Sequence, residues 1–169
     1  MAQTSYNYKT YLGEAGGIAD ISPKAIVSRA NGETGTAMAY GLGVVTGTAA
    51  GKEVVIPTSS STAATFEGVV VNDRIHEQSM AGAVVINPKD TLGVMTWGRV
   101  WAQVKASLTI GFGDALYLIV SGANAGKFSN VSTDGIAIKG KFLGEVGSQD
   151  TALIELFNQA QEVPAEAEA

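Results

Sequence analysis

Cysteine is absent from this chain of 169 residues, histidine occurs once, and charged residues make up only 16% of the whole. Without cysteine there is neither a disulfide framework nor a thiol nucleophile, and the lone His76 cannot furnish a typical zinc site. The charged share is low against roughly 25% in an average soluble domain, so much of the surface must be Gly, Ala, Ser and Thr, or be covered by partners. Basic charge is scarcer still. Eleven Lys and Arg against 16 Asp and Glu leave a net charge of -5 and a pI near 4.8. That balance argues against nucleic acid and against anionic membranes, because phosphates require clustered Lys and Arg. No apolar run approaches the ~20 residues of a membrane span, and the opening MAQTSYNYK lacks the apolar stretch of a signal peptide. The expected setting is aqueous and cytoplasmic. Hydrophobic residues reach 46%, enough for one ordinary domain that folds without staples.

What is present is a series of short runs rich in Val, Ile, Thr and aromatics, punctuated by glycine and turn pairs. Candidate strands are Ala25–Arg29, Met38–Val45, Lys52–Ile56, Phe66–Val71, Ala83–Ile86, Leu92–Val104, Ala115–Val120, Gly126–Ser129, Lys141–Val146 and Ala152–Phe157. Turn signals fall between them: Asn31-Gly32, which suits a tight hairpin, Asn87-Pro88, and the loop SGANAGK from Ser121 to Lys127. No intervening piece carries a 3.6-residue period. The pattern predicts an all-β fold, a small antiparallel β-barrel or sandwich, over residues 21–158. Residues 1–20, with Tyr6, Tyr8 and Tyr11 followed by Gly13, Gly16 and Gly17, have no alternation of their own to bury and read as an extended N-terminal arm. The alternative is a strand tucked onto its own barrel. Residues 159–169, acidic and containing Pro164, read as a solvated, disordered tail.

Sites of chemistry are few. Asp73, Arg74, His76 and Glu77 form the densest polar cluster, and a histidine beside carboxylates can act as a general base. No serine or metal-ligand partner stands at a diagnostic spacing, so a solvated or interfacial loop is the preferred reading. Gly41, Gly43 and Gly47 do not follow dinucleotide-loop spacing, and no helix follows to aim its amides at a phosphate. Gly111 and Gly113 read as backbone turns leading into a strand. Asn130-Val131-Ser132 matches a glycosylation sequon, a motif that means little without a secretory signal. No cofactor or metal is expected, and the chain reads as a non-enzyme.

The most informative stretch is Thr91–Lys105. Read as a strand, it puts Leu92, Val94, Val100, Ala102 and Val104 on one smooth apolar row. The other row holds Met95, Trp97, Arg99, Trp101, Gln103 and Lys105, both tryptophans of the chain beside an arginine and a methionine. Those types are enriched where proteins dock on proteins. Trp97, Arg99 and Trp101 are therefore candidate interface residues, together with Tyr6, Tyr8 and Tyr11, since tyrosine brings a large contact area and a hydroxyl at low entropic cost. Two other readings are tryptophans covering a barrel core, and a soluble β-barrel stacking a small molecule or glycan on Trp97 and Trp101.

The segments SYNYKT and GGIAD, then IVSRANGE, AYGLGVVTG, FEGVVVND, GRVWAQV, GDALYLIV, GKFLGEV and ALIELF, give a chain that resembles the cement or decoration proteins of tailed-bacteriophage capsids from about Ser5 to Phe157. The resemblance implies a small β-barrel or sandwich on the outer surface of an icosahedral phage head, made in the host cytoplasm and located in the virion. It implies contacts with the major capsid protein and with further copies of itself, as a homotrimer first and a dimer second, and a stabilising role for the head.

Overall fold

The structure, a computed structural model, describes residues 13–35, 38–73, 86–144 and 150–157. Tyr6, Tyr8 and Tyr11, the His76 cluster from Arg74 onward and the acidic tail lie outside the described residues.

The described chain is nearly all β, as its period-2 runs predict, with no α-helix among the described residues. Nine strands are seen: β1 (Ala25–Asn31), β2 (Gly43–Thr46), β3 (Glu53–Val55), β4 (Phe66–Val70), β5 (Thr91–Gln103), β6 (Ala115–Ile119), β7 (Phe128–Ser129), β8 (Gly135–Phe142) and β9 (Thr151–Leu156). They pair in the order β1-β3-β2-β4-β5, and β1 also pairs with β5, so the first five close into a barrel. Only β1 and β3 run parallel in it. The second half of β5 leaves that barrel and heads an antiparallel sheet, β5-β9-β8-β6-β7. A parallel bridge between Val104 and Phe128 brings the far strand back to the end of β5.

Two apolar cores follow from this plan. Val44, Val54, Val70, Leu92 and Val94, with Met38, Leu42, Ile56 and Ile86, fill the barrel. Val100, Ala102, Val104, Leu116, Leu118, Phe128, Phe142, Ile154 and Leu156 form the second core, joined by Phe66, Val69 and Met95 from the outside of the barrel wall. β4 and the first half of β5 are thus buried on both faces, with Val70 and Val94 turned one way and Val69 and Met95 the other.

A bulge lets β5 serve both cores. Ala25 faces Trp97 whereas Ile26 faces Met95, which leaves Thr96 as an extra residue on β5. Because side chains alternate with a period of two, one extra residue exchanges the faces. Before it, even-numbered Leu92 and Val94 point into the barrel; after it, even-numbered Val100, Ala102 and Val104 point into the second core. The apolar row of the sequence is therefore buried throughout. Met95 corrects the sequence reading, for it is fully buried rather than on the mixed face.

Smaller differences have equally local causes. Asn31-Gly32 does not make a hairpin: β1 pairs with β3 and β5 instead of with β2. The buried Asn31 side chain donates to the Asn87 carbonyl (3.0 Å) and accepts from the Glu33 N–H (3.0 Å), so it ties loops together. β8 begins at Gly135, upstream of the expected Lys141, and β2 begins at Gly43, after a turn at Gly41 with φ +77°.

Candidate functional site

Residues 13–20 lie against the second half of β5, on the edge opposite β9. Gly16 N–H donates to the Trp101 carbonyl (2.7 Å), Trp101 N–H donates to the Gly17 carbonyl (2.9 Å), and Ala19 N–H donates to the Arg99 carbonyl (3.2 Å). Asn72 N–H reaches the Gly16 carbonyl at 2.8 Å. Glycine is required twice here. A Cβ on Gly13 would come within 2.1 Å of the Trp101 indole, and Gly16 combines φ +76° with an approach of 2.7 Å to the Asn72 nitrogen. The glycines of this segment are what let its backbone approach β5 so closely.

This packing separates the three β5 candidates. All three lie on the outward face after the bulge, but their surroundings differ. Trp101 is half-buried, its ring over Gly13 beside a groove formed by Gly13, Glu14, Gly17, Ile18, Ala19 and Asn72. Arg99 bridges two elements: one guanidinium nitrogen meets Asp20 at 3.0 Å and another meets Glu155 of β9 at 3.1 Å. Trp97 is 42% exposed. Of the two tryptophans Trp97 thus keeps the more exposed ring, while Arg99 and Trp101 are engaged in holding residues 13–20 to the sheet.

An exposed cluster absent from the sequence reading lies on the second sheet. Phe112 is 76% exposed at the tip of a turn, and Phe157 is 44% exposed. The Lys141 ammonium lies 5.7 Å from the Phe112 ring centre and 5.9 Å from that of Phe157, near enough for cation–π attraction to both. The turn is well fixed: the Asp114 carboxylate accepts from Gly111 N–H (2.9 Å) and the Asn130 side chain (2.8 Å), and Gly113 N–H donates to the Phe142 carbonyl (2.9 Å). The signal in the sequence is the aromatic in Gly-Phe-Gly-Asp, since a turn flanked by glycines leaves little around it to cover a ring. Ile21, 98% exposed, and Ile26, 40% exposed, precede and begin β1, whose Ala25 pairs with Trp97.

Asp20 is held below the usual carboxylate range, first by the Ser22 hydroxyl and backbone N–H, and also by Arg99. Glu155 is pushed up by burial, but hydrogen bonds from Arg99 and Lys141 outweigh this and leave it lowered as well. A carboxylate whose pKa is depressed by folding stabilises the fold above its unfolded pKa, and that contribution is lost as pH falls through the folded value. Thermal unfolding followed against pH should therefore show a midpoint that falls on acidification below about pH 4.5, near the ordinary carboxylate range. Arg99→Gln, which removes a partner from both groups, should flatten that fall. An unaltered acid limb in Arg99→Gln would show that these ion pairs are too well solvated to matter. No group of three metal-ligating side chains converges among the described residues.

The model of the family described as "Structural cement protein (E217 gp24/Pam3 gp6)" matches residues 2–157 of the sequence. The chain belongs to this family of phage structural cement proteins. Its fold also matches a chain in the solved structure titled "The capsid of Myoviridae Phage XM1", with a TM-score of 0.68 at 17% identity, covering 92% of this chain and 96% of that one. At that identity the likeness shows a shared fold. No curated protein is significantly similar in sequence. The cement protein thus has a structural role in a phage capsid.

Proposed function

We propose that this cement protein decorates the outer surface of the phage head, binds the major capsid protein there, and stabilises contacts between capsomers without catalysing a reaction. The family match over residues 2–157 carries this reading. A packaged genome loads the shell outward, and a protein that bridges capsomers adds contacts that must break before the shell opens. Each contact can be modest. Linked contacts repeated over a shell gain effective concentration, so the whole holds far better than any one part.

In this reading Trp97 supplies an aromatic anchor on the exposed face, Arg99 and Trp101 fix the neighbouring backbone and present their free edges, and Tyr6, Tyr8 and Tyr11 on the arm reach a second subunit. Phe112 and Phe157 extend the set. Copies associate as homotrimers on the shell, consistent with a surface that carries little charge. Binding between this acidic chain and the shell then rests on aromatic and backbone contacts more than on cationic ones.

Co-sedimentation of purified protein with phage heads that lack it tests the reading. Saturable binding with a fixed number of copies per head is expected, together with heads that resist heat or osmotic rupture better than bare ones. Binding that never saturates, or protein that stays in the supernatant, would overturn it.

A further inference from the structure

We infer that residues 13–20 are a detachable strap: they close on β5 in the isolated protein, open from it as one unit, and when open lengthen the tether between barrel and arm. The strap's hydrogen bonds and ion pair are the four backbone bonds to Trp101, Arg99 and Asn72, the Asp20–Arg99 pair at 3.0 Å, and a long contact from the Thr151 hydroxyl to the Gly13 carbonyl at 3.5 Å, and its apolar cover is the half-buried Trp101 ring over Gly13. No large apolar side chain of the strap enters either core. Gly16 is its buried residue, and its one large apolar side chain, Ile18, is 43% exposed.

The barrel is closed by β1 on β5 without the strap, and the second sheet does not need the strap either. With the strap away, residues 98–103 of β5 still pair with β9 in full register. Val100, Ala102 and Val104 remain in the second core, which no strap residue joins. The strap itself regains backbone freedom on leaving, most at its three glycines, which lose the most freedom on being fixed. Segments with few buried apolar contacts and solvent-reachable hydrogen bonds are those that open locally while the rest stays folded.

The closed register is nonetheless specific. The ring of Trp101 occupies the space a Cβ on residue 13 would need, and Gly16 fits between Tyr40, Val70 and Asn72 only without a side chain. Closure therefore restores one position, and opening releases eight residues at once, adding up to about 26 Å of reach at ~3.3 Å per residue. That use, letting the arm adapt to the spacing of its sites on a shell, rests on the proposed function; the opening itself does not.

Hydrogen exchange of the full-length protein, free of shells, tests it. The amides of Gly16, Ala19, Trp101 and Asn72 bond across the strap interface, whereas those of Val70 and Val71 bond to the carbonyls of Leu42 and Gly93 within the barrel. The four amides should share one protection factor, at least about 100-fold lower than that of Val70 and Val71, as a sub-global unit does. Gly13→Ala, which sets a methyl against the Trp101 ring, should speed those four by roughly another 10-fold and leave Val70 and Val71 unchanged. Four unrelated protection factors would show independent fraying instead of one unit, and protection equal to that of the barrel, or acceleration of Val70 and Val71 by Gly13→Ala, would show a permanent strand; each outcome overturns the inference. Because no shell is present, the outcome is separate from that of the co-sedimentation experiment.

Discussion

Phe128→Ala is expected to destabilise the fold by about 3 to 5 kcal/mol, the range for emptying a buried aromatic site. Phe128 is completely buried and stands edge-on to Phe66 of the barrel, with ring centres 6.3 Å apart and planes at 89°. Such edge-to-face pairs add roughly 0.5 to 1.5 kcal/mol beyond area burial. The residue also lies in the two-residue strand β7, paired with Leu118 on β6 and bridged to Val104 at the end of β5. Its ring thus joins the barrel to the closing edge of the second sheet, and Gly43 keeps room for it: a Cβ there would come within 2.8 Å of the ring. The surrounding wall comes from two differently tethered layers, so it cannot readily collapse into the void. In a domain of this size the loss corresponds to a fall of roughly 6 to 20 °C in Tm. Phe128→Leu, which refills much of the volume, should recover more than half of the loss. A midpoint within a degree or two of the wild type for Phe128→Ala would mean that the two halves are joined elsewhere.

The strands were legible where one face is buried and one is open, and illegible where that condition fails. β5 illustrates both. Its even-numbered apolar row was correctly assigned to core from Leu92 to Val104, because every member is indeed buried. The same row gave no sign of serving two cores, since the bulge at Thr96 exchanges the faces of the strand without breaking the even-numbered spacing. Met95 went astray for that reason: a residue beside the bulge can be inside on the odd register. Gly135–Lys139 was missed because β8 there carries an outward Ala137 and Lys139 and inward-leaning Ile136 and Ile138, too few apolar positions to stand out from a turn.

For the candidate site, residue type led to the right strand and left the division of labour open. Trp97, Arg99 and Trp101 do share an outward face. What separates them is the strap, and nothing in local periodicity links Gly13 to Trp101 or Asp20 to Arg99, which lie some 80 to 90 positions apart in sequence. The lack of apolar alternation over residues 1–20 argued for a segment with nothing of its own to bury, which is true of the side chains of residues 13–20. It was silent on backbone pairing, for which small residues are an advantage. Phe112 escaped because turn glycines were read for their conformational role and not for the ring they leave uncovered.

Trp97→Ala and Trp101→Ala should then behave differently, and the contrast tests the residue-level interface. Trp97 is 42% exposed in the isolated protein, so its removal should lower stability by no more than about 1 kcal/mol, less than removal of Trp101 does. If it anchors the protein on the shell, truncation should cost about 2 kcal/mol or more of binding, a loss of roughly 30-fold in affinity for heads. Trp101 is half-buried and covers Gly13, so its removal should lower stability by about 1 to 2 kcal/mol through lost apolar burial and a loosened strap, along with any effect on retention. The measurements are the thermal midpoint of each free variant and its affinity for heads by co-sedimentation. Full retention of Trp97→Ala would transfer the anchoring role to other surfaces, with Phe112 foremost among them. A collapse of its midpoint would place the ring in a core that its exposure contradicts. Loss of binding by Trp97→Ala at constant stability would identify the open ring as an energetic centre of the contact, because truncating an exposed aromatic can weaken assembly that strongly only if the partner covers it.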